Sequence, residues 1–269
     1  MALDVFLAEV VKCVSKAPND YSAARSAKAW MQHVLLREDF ICSLGEFLIG
    51  QLHSNEPGWR LRPLPLPSES PICVRLLVWP PRYANLPHEH RAWTVAGVLL
   101  NHLEGKVFDR APEALDPKVI YSFGGGEGEV GILDPPCIHQ LSNPTNAITA
   151  SLHIFSFAGG THPDDHHDDD DLQDRYSIGL RERLELALVE ILGRSKSVQA
   201  SHLLNELFEC GSPRTKLAIC QAGARKQPLE TAQRLARLAE FADASGAQRL
   251  RSLSVRIAVG AKSNSTNDG

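Results

Sequence analysis

The sequence is poor in aromatic residues and has no long apolar run. Phe, Trp and Tyr make up 6% of its 269 residues, and hydrophobic residues of all kinds make up 43%. No apolar stretch approaches the roughly 20 residues that a membrane-spanning helix needs. The composition is ordinary for a globular protein, and the length suffices for one large domain or for a core domain with a smaller one.

The sequence also lacks a basic cluster. Its 28 Lys and Arg residues are outnumbered by 32 Asp and Glu residues, which gives a formal net charge of −4. Because proteins bind nucleic acids and anionic membranes mainly through dense positive charge, neither partner is expected. Residues 1–13, MALDVFLAEVVKC, lack a basic segment and a small-residue cleavage site, so they predict an amphipathic helix rather than a signal peptide.

The six cysteines include no Cys-x-x-Cys pair. A chain of this length builds a core without disulfide bonds, so the cysteines are predicted to be mostly reduced, buried thiols of a cytoplasmic protein. Cys137 has a further interest because it lies two residues before His139, a candidate metal ligand.

Three kinds of pattern follow one another along the chain. Apolar residues recur at helical spacing in residues 1–54 and again in residues 175–260. Between these regions, residues 55–160 contain seven short apolar or alternating runs separated by Pro- and Gly-rich turns. Such runs, with no helix between them, predict an antiparallel sandwich or barrel. An acidic, His-containing loop is expected at residues 161–174 and a disordered tail at residues 261–269.

Two histidines lie two residues apart in the segment Pro87-His88-Glu89-His90. If the segment is a strand, both side chains point to the same face. His139, in a turn that leads into a later strand, is a candidate third ligand. A facial set of three ligands leaves coordination positions open, as in non-haem iron(II) oxygenases. A His-x-His pair by itself is equally consistent with polar residues on a strand face.

The two motifs together resemble those of the cupin family. His88-x-His90 resembles the first cupin motif, and His139-x3-Asn143 resembles the second. The glutamate ligand of most cupins has no counterpart in residues 91–97, and this three-histidine pattern resembles the thiol dioxygenases, which include cysteine dioxygenase and 3-mercaptopropionate dioxygenase. Other segments that carry the resemblance, which spans residues 1 to 160, are Val78-Trp79-Pro80-Pro81, Trp93, Gly97 and Ser151-Leu152-His153.

The resemblance implies a mainly β fold with flanking helices: a cupin double-stranded β-helix, or jelly-roll barrel, with N-terminal helices packed on it and a helical C-terminal extension. It implies Fe(II) held by His88, His90 and His139. The implied reaction oxidises a small thiol with O2 to its sulfinic acid. Ser151 and His153 match the first two residues of the family's outer relay, and Phe155 stands where the family has a tyrosine.

A carboxylated thiol substrate needs a cation, preferably a bidentate arginine. Arg62 lies at about the distance upstream of the first motif at which cysteine dioxygenases place theirs, and Arg75 and Arg60 compete with it. Trp93 is a further candidate substrate contact. Two alternatives stay open: a cupin oxygenase with a non-thiol substrate, and a non-catalytic metal- or ligand-binding cupin. The C-terminal helices are expected to serve self-association or the binding of partners.

Overall fold

The computed structural model describes residues 1–54, 59–90, 92–109, 118–135, 137–157 and 179–265. For His90, Cys137 and residues 260–265 the description covers the backbone alone. The chain forms two compact units, Met1–Ala187 and Leu188–Gly269. The predicted acidic loop at residues 161–174 lies outside the described residues.

The first unit begins with three helices. They are α1 (Leu3–Lys16), α2 (Asp20–Val34) and α3 (Glu38–Leu52). The side chain of Asn19 caps α2 by accepting a hydrogen bond from the Ser22 amide at 2.9 Å. Phe6 and Phe40, both fully buried, meet edge to face with their ring centroids 5.2 Å apart and so join α1 to α3. The apolar spacing of the sequence predicted helices in this region.

Eight strands follow in the described part of the chain. They are β1 (Ile72–Trp79), β2 (His88–His90), β3 (Thr94–Leu100), β4 (His102–Phe108), β5 (Val119–Gly126), β6 (Val130–Leu133), β7 (Cys137–Ser142) and β8 (Thr149–Ser156). They form two four-stranded antiparallel sheets: the first sheet has the order β1-β8-β3-β6 and the second has the order β2-β7-β4-β5. The pairs β1·β8, β2·β7, β3·β6 and β4·β5 thus alternate between the sheets, which is the strand order of a jelly roll.

Helix α2 covers the outer face of the first sheet at Gly97. A Cβ atom at this position would lie 2.5 Å from Met31 Sδ and 2.9 Å from a methyl group of Leu35. A side chain at this position would require the buried side chains of Met31 and Leu35 to shift. Since neighbouring residues of a strand face opposite ways, Ala96 and Val98 point to the inner face, between the sheets.

The composition of the run Gly124-Gly125-Gly126 predicts a hairpin turn. The structure instead has these glycines as the end of β5. These glycines lie opposite Glu104, Leu103 and His102 of β4. The turn comes afterwards, where Gly128 has φ +83° and the Glu129 carboxylate accepts a hydrogen bond from the Gly126 amide at 2.7 Å. The prediction based on glycine content therefore ended this strand too early.

The C-terminal region is helical, as predicted. Its helices are α4 (Leu180–Arg194), α5 (Val198–Cys210), α6 (Pro213–Gly223), α7 (Pro228–Leu238) and α8 (Ala244–Ser265). The division of the chain into two units falls between Ala187 and Leu188, within the sequence of α4. Ser197 and Ser212 cap α5 and α6 through their side chains. Helix α8 extends to Ser265, into the segment predicted as a disordered tail. Within the described ranges, no helix is long and apolar enough to cross a membrane.

Candidate metal centre

Strands β2 and β7 bring His88 and His139 together as direct register partners. Their ring centroids lie 4.5 Å apart, and His139 is completely buried. His139 shares its row of the sheet with Val107 of β4, which is also buried, so both histidines face the space between the sheets. Two imidazoles at this separation on neighbouring strands suit a single cation bound between them.

The hydrogen bonding of His88 determines which of its nitrogens can bind a metal. Its Nδ1 lies 2.9 Å from the carbonyl oxygen of Leu86. Because a carbonyl oxygen only accepts, Nδ1 carries the proton and Nε2 carries the lone pair. A backbone partner that fixes the ring in this way is usual for metal-binding histidines.

His90 pairs with Cys137 through its backbone in the same ladder. Its side chain lies outside the described residues. Among the side chains that the structure describes, no group of three or more His, Cys, Asp or Glu residues could hold a metal ion. The third ligand therefore stays a prediction, and His88 and His139 are the two that the structure brings together.

A buried hydrogen-bonded chain lies on the inner face of the first sheet. Trp79 Nε1 donates to Ser151 Oγ at 2.8 Å, and Ser151 Oγ lies 2.8 Å from His153 Nε2. All three side chains are almost fully inaccessible to solvent. Since the indole only donates, Ser151 accepts from Trp79 and has its own proton available for His153. The predicted Ser151–His153 pair is thus present in the structure.

His153 faces the two candidate ligands. Burial, together with the smaller effect of positive charge on His139 and His88 of the opposite sheet, lowers the pKa of His153 to about 3. His153 is therefore a neutral imidazole at physiological pH. Phe155 stacks on it, with ring centroids 5.6 Å apart and planes inclined by 20°. Where the thiol dioxygenases have a phenol, this chain places a ring without a hydroxyl group.

The three predicted substrate contacts lie in different surroundings. Arg75 of β1 is the register partner of His153 and shares its inner face. Arg62 has an exposed side chain, and its backbone pairs with the Gln51 side chain of α3, where its amide donates to Gln51 Oε1 at 2.8 Å. Trp93 is a core residue, 2% exposed, immediately before β3. Of the three, Arg75 has the position nearest to His153 in the sheet, and each substrate contact stays a prediction.

Two residues near the site have roles that the sequence did not reveal. Trp79 belongs to a segment that resembles the thiol dioxygenases, but its bond to Ser151 joins positions 72 residues apart. Asn143 is buried and holds two loops together: its amide donates to Pro80 O at 2.9 Å and to Ala147 O at 2.7 Å. The motif pattern marked Asn143 without indicating that it is structural.

No protein-family model matches the sequence. No curated protein matches it either. Solved structures that are similar include the cupin domain of Schizosaccharomyces pombe Cnp3, with 10% identity, a TM-score of 0.30, and coverage of 36% of this chain and 59% of that one. A cupin superfamily protein from Desulfitobacterium hafniense has 11% identity, a TM-score of 0.29, and coverage of 39% and 84%. A cupin 2 conserved barrel domain protein from Salinispora arenicola has 19% identity, a TM-score of 0.29, and coverage of 44% and 89%.

The matched segment spans less than two thirds of the first of these structures. Because all three scores are low, the architecture rests on the strand order and register of this chain. The fold is a jelly roll. Its inward-facing histidines are the feature from which a function can be inferred.

Proposed function

We propose that the protein is an iron(II)-dependent dioxygenase that oxidises a small thiol of the cysteine or 3-mercaptopropionate type to its sulfinic acid. The observation that carries the proposal is the direct pairing of His88 with His139, 4.5 Å apart between ring centroids, opposite the buried Ser151–His153 pair. Neutral imidazoles suit iron(II) in such sites, and a ligand set without a carboxylate leaves the cation its full charge to attract a thiolate.

When bound, iron(II) would supply the redox chemistry by which both atoms of O2 are added to the sulfur of R–SH, giving R–SO2H. His88 and His139, with His90 as the expected third, would hold the metal on the inner face. The chain's other residues shape the surroundings: Ser151 fixes the ring of His153. A neutral His153 adds no positive charge beside the cation and can hydrogen-bond a polar substrate atom.

Arg75 is the residue best placed to select a carboxylated thiol. It lies beside His153 across the β1·β8 ladder, on the face directed toward the second sheet. A guanidinium group binds a carboxylate through two parallel hydrogen bonds, which would orient the thiol end of the substrate toward the histidines. A thiol that carries a hydroxyl in place of the carboxylate should therefore be a poorer substrate.

The test is anaerobic loading with iron(II), followed by oxygen uptake measured with cysteine, 3-mercaptopropionate and 3-mercaptopropanol. The proposal predicts uptake with one of the two acids, one O2 consumed per sulfinate formed, and a much lower rate with the alcohol. His139→Ala should abolish the uptake, because it removes a proposed ligand. His102→Ala is the control and should retain the uptake, because His102 is a strand histidine whose Nε2 lies 3.8 Å from Glu104 Oε1 at the sheet surface. Bound iron without uptake for any thiol would contradict the proposal.

A second candidate is a cupin oxygenase that acts on a non-thiol substrate. It is favoured by the stacking of Phe155 on His153, which puts a ring without a hydroxyl group at the position where the thiol dioxygenases have their tyrosine. Iron binding at the histidines together with inert thiols would select this candidate.

A further inference from the structure

Strand β5 is an edge strand with an unusually apolar and exposed surface. It ends the second sheet, and in the part of the chain that the structure describes no strand pairs with it on the side away from β4. Its large side chains are exposed by 41% at Val119, 62% at Ile120, 54% at Tyr121 and 37% at Phe123. Alternate residues of such an edge direct their N–H and C=O groups outward, where another strand can bind them.

The strand lacks the charges that usually protect an edge. No charged residue lies between Lys118 and Glu127, whereas natural edge strands commonly carry Lys or other charges against association. The ladder with β4 does contain an irregularity between Val107 and Phe108, but it affects only the beginning of β5. From Tyr121 to Gly126 the register with β4 is continuous.

We propose that β5 pairs antiparallel with β5 of a second copy of this chain, about a two-fold axis at Ser122. In an antiparallel pair, the backbone N–H and C=O groups of two opposed residues either both point toward the partner strand or both point away from it. This direction alternates from one residue to the next along a strand. A strand that pairs with itself must therefore be centred on a residue and not between two residues. Centring on Ser122 places a small side chain where the two copies approach on the axis.

This register makes the strand self-complementary. Tyr121, whose ring centroid already lies 6.3 Å from that of Phe123 in the same copy, comes opposite Phe123 of the second copy, so four aromatic rings share one face. The bulky half, Val119 and Ile120, comes opposite the glycine half, residues 124–126, which offers no side chains to collide with it. Charge agrees as well, because the end that carries Lys118 meets the end that carries Glu127.

Sedimentation of the full chain over a concentration series tests the pairing. We expect a dimer that dissociates on dilution. Ile120→Lys should raise its dissociation constant about tenfold or more, because the two-fold axis doubles the effect of each introduced charge. Val255→Lys in α8 is the matched control, since Val255 is 61% exposed against 62% for Ile120, and it should leave the dimer intact. A wild-type monomer at every concentration, or an equal effect of both substitutions, would overturn the proposal.

A second variant tests the register without weakening the strand. Ser122→Cys places two thiols on the axis at the separation of directly opposed strand residues, about 4.5–5.5 Å between Cα atoms, which a disulfide can span. Mild oxidation should give a covalent dimer that reducing agent releases. Ser252→Cys, at an exposed position of α8, is the control and should stay uncross-linked. A dimeric Ser122→Cys protein that fails to cross-link would exclude pairing about Ser122.

Discussion

At the scale of single residues, the inner face of the jelly roll is held in place by hydrogen bonds that water cannot replace. Ser151 is the centre of this arrangement because it accepts from Trp79 and contacts His153, with all three side chains buried. A buried donor that loses its acceptor costs about 1–3 kcal/mol, more than the bond itself contributes when it is made. Ser151 therefore positions His153 and also stabilises the fold.

Replacing Ser151 with alanine should lower the free energy of unfolding by about 1–3 kcal/mol, because the indole N–H of Trp79 would be left without its acceptor. Urea unfolding followed by circular dichroism measures the change. Ser156→Ala, in the half-buried last residue of the same strand, is the control and should change stability by less than about 0.5 kcal/mol. Equal effects of the two substitutions would show that the bond to Trp79 contributes nothing.

Phe155→Tyr tests whether the relay matters for chemistry. The substitution restores a phenol next to His153, and a hydrogen-bond donor aimed at reacting atoms can contribute about tenfold or more to kcat. Oxygen uptake with the best thiol measures the effect, with Phe157→Tyr just beyond the same strand as the control. An unchanged kcat in an iron-loaded Phe155→Tyr protein would show that a phenol at this position contributes nothing to thiol oxidation.

At the scale of secondary-structure elements, the site depends on how closely α2 packs on the first sheet. Gly97 is where β3 meets Met31 and Leu35, and the inner face of the same strand carries Ala96, the register neighbour of His153. The other connection is made by Asn143, which ties the loop after β7 to the loop after β1. Packing on the outer face thus sets the position of residues on the inner face.

Gly97→Ala should destabilise the protein by about 1–3 kcal/mol, because the added methyl group would overlap Met31 Sδ and a methyl group of Leu35, and both buried side chains would have to shift. Gly131→Ala is a matched control on β6 of the same sheet, where an added Cβ meets no atom within 4 Å. Thermal or urea unfolding compares the two variants. If Gly131→Ala proved as destabilising as Gly97→Ala, crowding against Met31 and Leu35 would not be the cause.

The elements were predictable from the sequence to the extent that their signals are local. Period-two runs located most strands, and the two-residue spacing of His88 and His90 was enough to indicate a shared face. Strand pairing was not predictable in this way, since the partner of His88 lies on a strand that starts at Cys137 and nothing local specifies that register. The role of Trp79 was missed for the same reason, because its acceptor is 72 residues away. The cupin motifs supplied this long-range information only as a resemblance.

At the scale of the whole molecule, the chain contains two compact units. The candidate centre lies entirely within Met1–Ala187, and the helices of Leu188–Gly269 form a unit of their own. A metal that binds only the folded form of one unit stabilises that unit by mass action. Metal binding should therefore shift the unfolding transition of one unit and leave that of the other unchanged.

Calorimetry of the full chain should show two unfolding transitions, and iron(II) under anaerobic conditions should raise the Tm of the transition that belongs to the jelly roll. At a hundredfold excess over Kd the stabilisation is about 2.7 kcal/mol, or several degrees. His102→Ala should keep this shift, whereas His88→Ala should lose it. A shift confined to the helical unit would place the metal outside the predicted centre.

The most direct measurement of the central claim is the metal content of iron-reconstituted protein in three forms: wild type, His139→Ala and His102→Ala. If His139 is a ligand, wild type and His102→Ala will retain one iron per chain after desalting, and His139→Ala will retain almost none while keeping its circular dichroism spectrum. Iron bound equally by His139→Ala would contradict the centre and the oxygenase with it.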